Sequence, residues 1–196
     1  GYHVVISGRR AGQNEEVAGE LGSLGPGSCE AFTADVSQEE DCLRLVRQTA
    51  ESHRRLDLLI NNAGIGGMMP LLESTTEDFD RVLKTNLYSA YWCSREAFRI
   101  IKDQQPAEAQ ALRGAIINTS SVCGVEAWAG ASLYCTSKHG MMGLTRALAD
   151  EGAELFIRVA AICPAMVATP MTGKEGPDYI APEDIAKTLG YLLDLS

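Results

Sequence analysis

The sequence predicts an α/β protein built on a doubly wound parallel sheet with helices on both faces. Short apolar runs rich in Val and Ile alternate with longer segments of helical period, an order that builds parallel strands joined by crossover helices. Polar and Gly-rich residues follow the strand segments in turn, at Gly8-Arg9-Arg10, Asp35-Val36, Asn61-Asn62-Ala63-Gly64, Ser120-Ser121 and Pro164-Ala165. In an open sheet of this kind, ligands bind outside the carboxyl ends of the strands.

Residues 3–7, 56–60, 115–118 and 157–162 are too short for helices, are bounded by polar or Gly/Pro signals, and read as buried strands. Residues 31–35 are a fifth candidate, ending at Asp35. Helical patterns cover residues 14–21, 38–53, 76–102, 133–153 and 182–195. The second opens with a capping signature, Ser37 followed by Glu40, and the last with Pro182-Glu183-Asp184. The polar, Ala-rich residues 103–114 read as a surface excursion without chemistry.

At 196 residues, without a linker or composition shift, the chain reads as one domain. A hydrophobic fraction of 45% with 22% charged residues is globular, and no apolar run is long enough to span a bilayer. The net charge of −9, without a dense basic patch, argues against nucleic acid as a partner. Six scattered cysteines form no C-x-x-C pair, and with His3, His53 and His139 dispersed no metal site is expected. These features, with no secretory signal visible, fit a reducing, cytoplasmic setting. Cys135 lies between Tyr134 and Lys138 but is expected to be a packed thiol, since helical geometry turns it away from both.

Chemistry concentrates at Tyr134 and Lys138. In a helix they sit at i and i+4, about 6 Å apart along the axis on one face. An adjacent cation stabilises a phenolate, so the lysine is expected to bring the phenol toward a useful pKa. A bare Tyr-x-x-x-Lys also occurs on ordinary solvated helix faces. Ser121 precedes Tyr134 by thirteen residues.

Taken in order, these segments resemble the classical short-chain dehydrogenase/reductase family across nearly the whole chain. Asn61-Asn62-Ala63-Gly64 resembles its N-N-A-G segment, and Asn86 in Lys84-Thr85-Asn86-Leu87 its active-site asparagine. Ser121 with Tyr134 and Lys138 resembles its catalytic serine and Y-x-x-x-K, and Pro164 to Thr169 its P-G-x-x-x-T. The resemblance implies a Rossmann-like domain and hydride transfer between a nicotinamide cofactor and a carbonyl or alcohol. Tyr134 would exchange the proton, Lys138 would stabilise the phenolate and bond the ribose, Ser121 would hold the substrate oxygen, and Asn86 would bend its helix and help hold a relay water. Asp35 with Val36 would contact adenine, Asn62, Ala63 and Gly64 would let the dinucleotide approach the backbone, and Val167 and Thr169, after Pro164, would orient the nicotinamide. Arg9 suits a 2′-phosphate, favouring NADP with NAD possible; the bland reading makes Arg9 and Arg10 solvated loop residues. The resemblance also implies a homodimer or homotetramer through residues 76–102 and 133–153, which carry Tyr88, Tyr91, Trp92, Phe98, Met141, Met142, Leu144 and Leu148.

Three departures stand out. The chain opens at what resembles the family's second strand, without the T-G-x-x-x-G-I-G turn, and lacks a final strand, so it reads as truncated at both ends. The absent first strand would leave residues 3–7 and 56–60 with unpaired edges. Ala165 stands where the family usually has Gly, and Ala160 and Ala161 where Asn is common. Against an active reductase stand two other readings, a catalytically silent scaffold and a nucleotide sensor. Met68, Met69, Val125 and Trp128 are candidates for an apolar pocket or for ordinary packing. Substrate identity is not legible.

Overall fold

The computed structural model describes residues 1–106 and 112–194. Its elements run β1 (His3–Gly8), α1 (Ala11–Gly22), β2 (Ser28–Thr33), α2 (Glu39–His53), β3 (Leu58–Asn61), α3 (Thr76–Leu83), α4 (Ser89–Ile101), β4 (Gly114–Thr119), α5 (Ser132–Ala153), β5 (Ile157–Ile162) and α6 (Pro182–Asp194). Among the described residues all strand pairing is parallel and falls into two sheets, β1-β2 and β3-β4-β5. β1 and β3 do not pair with each other, in line with the unpaired edges expected of residues 3–7 and 56–60. Part of the 103–114 segment, residues 107–111, lies outside the described residues.

The split changes the burial of the strands. β4, flanked on both sides, is buried over five of its six residues. β1 and β3 were expected to be buried, yet Val4 and Ile60 are exposed, because each strand has a partner along one edge only. β2 also begins and ends earlier than residues 31–35 suggested, so Ala34 and Asp35 form the turn that follows it.

Helices α2 and α4 cover one face of the larger sheet, where Cys42, Val46, Leu56, Cys93, Ala97, Ile101, Ile116 and Ile157 make the main core. Neighbouring strand residues face opposite ways, so Arg158, which donates to the Leu192 carbonyl, places α6 on the other face. The helix expected over residues 76–102 is interrupted by one π-helical turn, Lys84–Tyr88. Its start carries a capping box, in which the Thr75 side chain accepts from Asp78 N and the Asp78 side chain accepts from Thr75 N.

The capping box read at Ser37 and Glu40 does not form. Gln38 is the N-cap without a side-chain bond, while the Ser37 hydroxyl donates to Asp35 Oδ1 at 2.8 Å. An aspartate two residues upstream competes for the serine through a local turn. Glu39, Glu40 and Asp41 fill the first turn of α2 instead and complement its dipole.

Candidate active site

Four segments meet beyond the carboxyl ends of β3, β4 and β5. The loop after β3 crosses the start of α5, where a Cβ on Gly67 would lie 3.4 Å from Tyr134 N, and Met69 N donates to the Gly130 carbonyl at 2.7 Å. The turn after β4 is tied to the one after β5, with Val122 N donating to the Pro164 carbonyl at 2.9 Å. Tyr134 and Lys138 stand one turn apart on α5 between these loops.

Lys138 is 4% exposed, and its Nζ donates to the Thr119 carbonyl at 2.7 Å while lying 5.6 Å from the Tyr134 ring centroid. Burial dominates its electrostatics and lowers its pKa to about 8, opposed only in part by the nearby thiols of Cys123 and Cys163. The Tyr134 pKa is raised by burial, with the Ser121 hydroxyl drawing it partly back. Lys138 is not among the groups that shift the phenol, contrary to the expectation that it lowers it. The ammonium is aimed at Thr119 and is itself desolvated.

The two serines differ in their partners. Ser120 is buried, and its hydroxyl donates to the Lys138 carbonyl at 3.2 Å, anchoring α5 to β4. Ser121 caps the short 3-10 turn Val122–Gly124, accepting from Cys123 N at 3.2 Å, and donates to the Pro164 carbonyl at 3.5 Å. Cys135 is buried with Cys123 and Ala131, a packed thiol as expected.

Asn86 sits fully buried in the π-helical turn. Its Oδ1 accepts from Ile65 N at 2.8 Å, and its Nδ2 donates to the Ile65 carbonyl and to Ser137 Oγ at 3.0 and 3.1 Å. Both amide hydrogens are spent, leaving the side chain no donor for a relay water. It pins the β3 loop to α5 instead, and Ser137 passes that restraint on by donating to the Tyr134 carbonyl at 2.7 Å. Gly64 is adjacent, where a Cβ would lie 3.4 Å from Asn86 Oδ1 and 3.8 Å from Lys138 Nζ.

The remaining candidates lie further out. Val167 forms a parallel bridge with Ile180, and the Thr172 hydroxyl donates to the Val167 carbonyl at 2.6 Å, fixing the turn that carries Thr169. Asn62 and Ala63 are exposed at the end of β3. Arg9 and Arg10 belong to the other sheet, on a groove of about 800 Å³ lined by residues including Ser7, Gly8, Gln13 and Asn14. Asn14 Nδ2 donates to the Gly8 carbonyl at 2.8 Å and sets that turn. Asp35 accepts from Ser37 through Oδ1, and Val36 packs against the main core. The structure therefore brings Gly64, Asn86, Ser121, Tyr134, Lys138 and Pro164 together, with Arg9 and Asp35 at a separate end.

Sequence reasoning missed a buried polar ladder beneath the site. Asn61 Nδ2 donates to Ser94 Oγ at 3.0 Å and to Asn118 Oδ1 at 2.8 Å, Asn118 Nδ2 donates to Thr145 Oγ1 at 2.8 Å, and Thr145 donates to the Met141 carbonyl at 2.8 Å. It crosses from α4 through β3 and β4 to α5. An Asn at or next to the end of each of two apolar strands was the available signal, because Asn61 and Asn118 are register partners.

The short chain dehydrogenase family profile matches residues 1–180. The chain belongs to that family. A crystal structure of a short chain dehydrogenase from Mycobacterium smegmatis superimposes with a TM-score of 0.83 at 34% identity, covering 97% of this chain and 74% of that one. A structure described as ElxO with NADP bound gives 0.85 at 26% identity, covering 100% and 82%. A Mycobacterium tuberculosis relative named (5R,7aS)-5-hydroxy-7a-methyl-1-oxo-2,3,5,6,7,7a-hexahydro-1H-indene-carboxyl-CoA reductase is 37% identical over 85% of this chain and 61% of its own length. The chain spans 61 to 66% of the length of this and two other curated relatives. Among the described residues no helix is long and apolar enough to cross a membrane.

Proposed function

We propose that this short-chain dehydrogenase interconverts a carbonyl and its alcohol by hydride transfer with NADP, Tyr134 exchanging the proton. The observation that carries the reading is a buried lysine beside a half-buried tyrosine, with the Ser121 hydroxyl close to the phenol at the carboxyl ends of the strands. The site suits a dinucleotide. Gly64 leaves open the space that a Cβ would fill beside Lys138, and the Arg9 groove, at about 800 Å³, has room for a nucleotide. Arg9 would meet a 2′-phosphate there and Asp35 the adenine end, with Asn62, Ala63 and Gly64 along the middle and Pro164, Val167 and Thr169 at the nicotinamide. When bound, NADPH supplies the hydride to the carbonyl carbon.

The side chains supply the rest. A raised pKa keeps Tyr134 protonated at neutral pH, so in reduction its hydroxyl gives a proton to the carbonyl oxygen. Ser121 donates a hydrogen bond to the same oxygen as charge develops on it. Lys138, still largely cationic at pH 7, would hydrogen-bond the ribose of the bound cofactor. Asn86 and Ser137 hold the Tyr134 turn against the β3 loop and act by positioning.

Tyr88 and Tyr91 are exposed on the π-helical turn and α4, a surface suited to a second copy of the chain, although Trp92 and Phe98 turn inward to the core. The small-molecule chemistry fits a cytoplasmic enzyme. The test is Tyr134→Phe: turnover of a carbonyl panel should fall by at least a thousandfold while NADPH binding stays within about threefold. Retained turnover would remove Tyr134 from the mechanism.

A further inference from the structure

Of Met68, Met69, Val125 and Trp128, candidates for an apolar pocket or for packing, Met69 is half-buried and the other three are exposed. Met68 is 64% exposed, Val125 53% and Trp128 45%, and Leu71, Met166 and Met171 are exposed as well. All six lie on the three segments that surround Tyr134. Met68 and Leu71 follow β3, Val125 and Trp128 follow β4, and Met166 and Met171 follow β5. The Met69–Gly130 and Val122–Pro164 main-chain bonds hold these segments together, so the apolar residues sit on one tied set of loops at the mouth of the Tyr134 site. Isolated apolar side chains on a surface need no explanation, but a set on three tied loops around an acid/base pair does.

The charges of the same loops are equally one-sided. Residues 62–75 contain Glu73 alone, residues 121–131 contain Glu126 alone, and residues 163–181 contain Lys174, Glu175 and Asp178. One lysine thus stands against four acids, and Lys174 lies over the Tyr179 ring, 5.8 Å from its centroid. On these loops acids outnumber bases, a balance unfavourable to an anionic substrate, and the −9 of the whole chain runs the same way.

Resting on the oxidoreductase reading, we infer that the substrate is a neutral, apolar carbonyl or alcohol of ring size or larger, taken up free rather than as an anionic thioester. A phosphate-bearing thioester or an acidic carrier protein would need cations at the mouth, and these loops do not supply them. A ring system covers Met68, Val125, Trp128 and Met166 while its carbonyl reaches Ser121 and Tyr134.

The test uses the protein with NADPH, a neutral bicyclic ketone such as a decalone, and acetoacetyl-coenzyme A. The decalone should give a kcat/KM at least tenfold above the thioester. Trp128→Ser should raise KM for the decalone several-fold with little change in kcat, as loss of uniform binding does. The decalone should also shift tryptophan emission in the parent protein but not in Trp128→Phe. Equal or better turnover of the thioester overturns this inference and leaves the oxidoreductase reading standing. No emission shift with the decalone, or a Trp128→Ser variant with unchanged KM, overturns it too. A decalone that shifts Trp128 emission without turnover, in protein that binds NADPH, supports the apolar mouth and defeats the oxidoreductase reading.

Discussion

Replacing Lys138 by Met should separate what the ammonium does for chemistry from what its burial does to the fold. The side chain is 4% exposed and its pKa lies at about 8 against an ordinary 10.5. Between those values the unfolded chain holds more protons than the folded one, so wild-type stability rises with pH through that window. From pH 7 to 9.5 the gain from this group is about 2 kcal/mol of a full penalty near 3 kcal/mol. At pH 7 the substitution removes that penalty but strips the Thr119 carbonyl of its donor, a loss of about 1 to 3 kcal/mol. The two nearly offset, and the sharper readout is the pH slope. In thermal melts followed by circular dichroism, wild type minus Lys138→Met should climb by about 4 to 8 °C between pH 7 and 9.5. Taking the difference cancels the titration of thiols other than Cys123 and Cys163, which interact with Lys138, and stopping below 10 avoids the tyrosine. Turnover and NADPH affinity should both fall. A difference that stays flat across this range would mean that Lys138 is not held below its ordinary pKa.

Asn118→Ala should lower stability by about 2 to 4 kcal/mol, because it leaves an Asn61 N–H unpaired, removes a donor from Thr145 and opens a small cavity. Denaturant titration measures it, and a change under 0.5 kcal/mol would show the ladder to be ornamental. Arg9→Asp should shift the ratio of NADP to NAD binding toward NAD by at least tenfold, since an acid repels the 2′-phosphate and accepts from a 2′-hydroxyl. Isothermal titration with both cofactors checks this, and an unmoved ratio assigns the phosphate to Arg10 or elsewhere.

The Tyr134 and Lys138 pairing was legible because helical spacing is a local property, and the alternation of periods sufficed for the parallel α/β order. What depends on the neighbours of a residue was not. The sequence places an ammonium near a phenol, but the depressed pKa of Lys138 arises from burial beneath loops far away in the chain. Asn86 carried the expectation of a bent helix, realised as the π-helical turn, whereas the partners of its amide, Ile65 and Ser137, lie far off in the chain and were not legible. Ser37 failed as a cap because Asp35, two residues away, outcompeted the helix for its hydroxyl. The boundary of β2 slipped because Ser28, Cys29 and Glu30 carry little strand signal and are recruited by pairing with β1.

Among the described residues the two sheets share no strand-to-strand hydrogen bond, and the slab with the Arg9 turn meets the slab with the Tyr134 cluster along a seam of helices. There α2 meets α4, with Cys42 and Val46 against Cys93 and Ala97, and Arg47 bonds Glu96 at 2.7 Å while Arg99 holds the other carboxylate oxygen at 3.0 Å. Main-chain ladders are stiff, whereas packed side chains slide by fractions of an ångström. Within these 196 residues the seam joins the slab that carries Arg9 to the slab that carries Tyr134, and amide protons of β1 and β2 should exchange on a different clock from those of β4 and β5. A ligand long enough to touch both slabs would act as a strut across that seam, quieting the two populations of protons together.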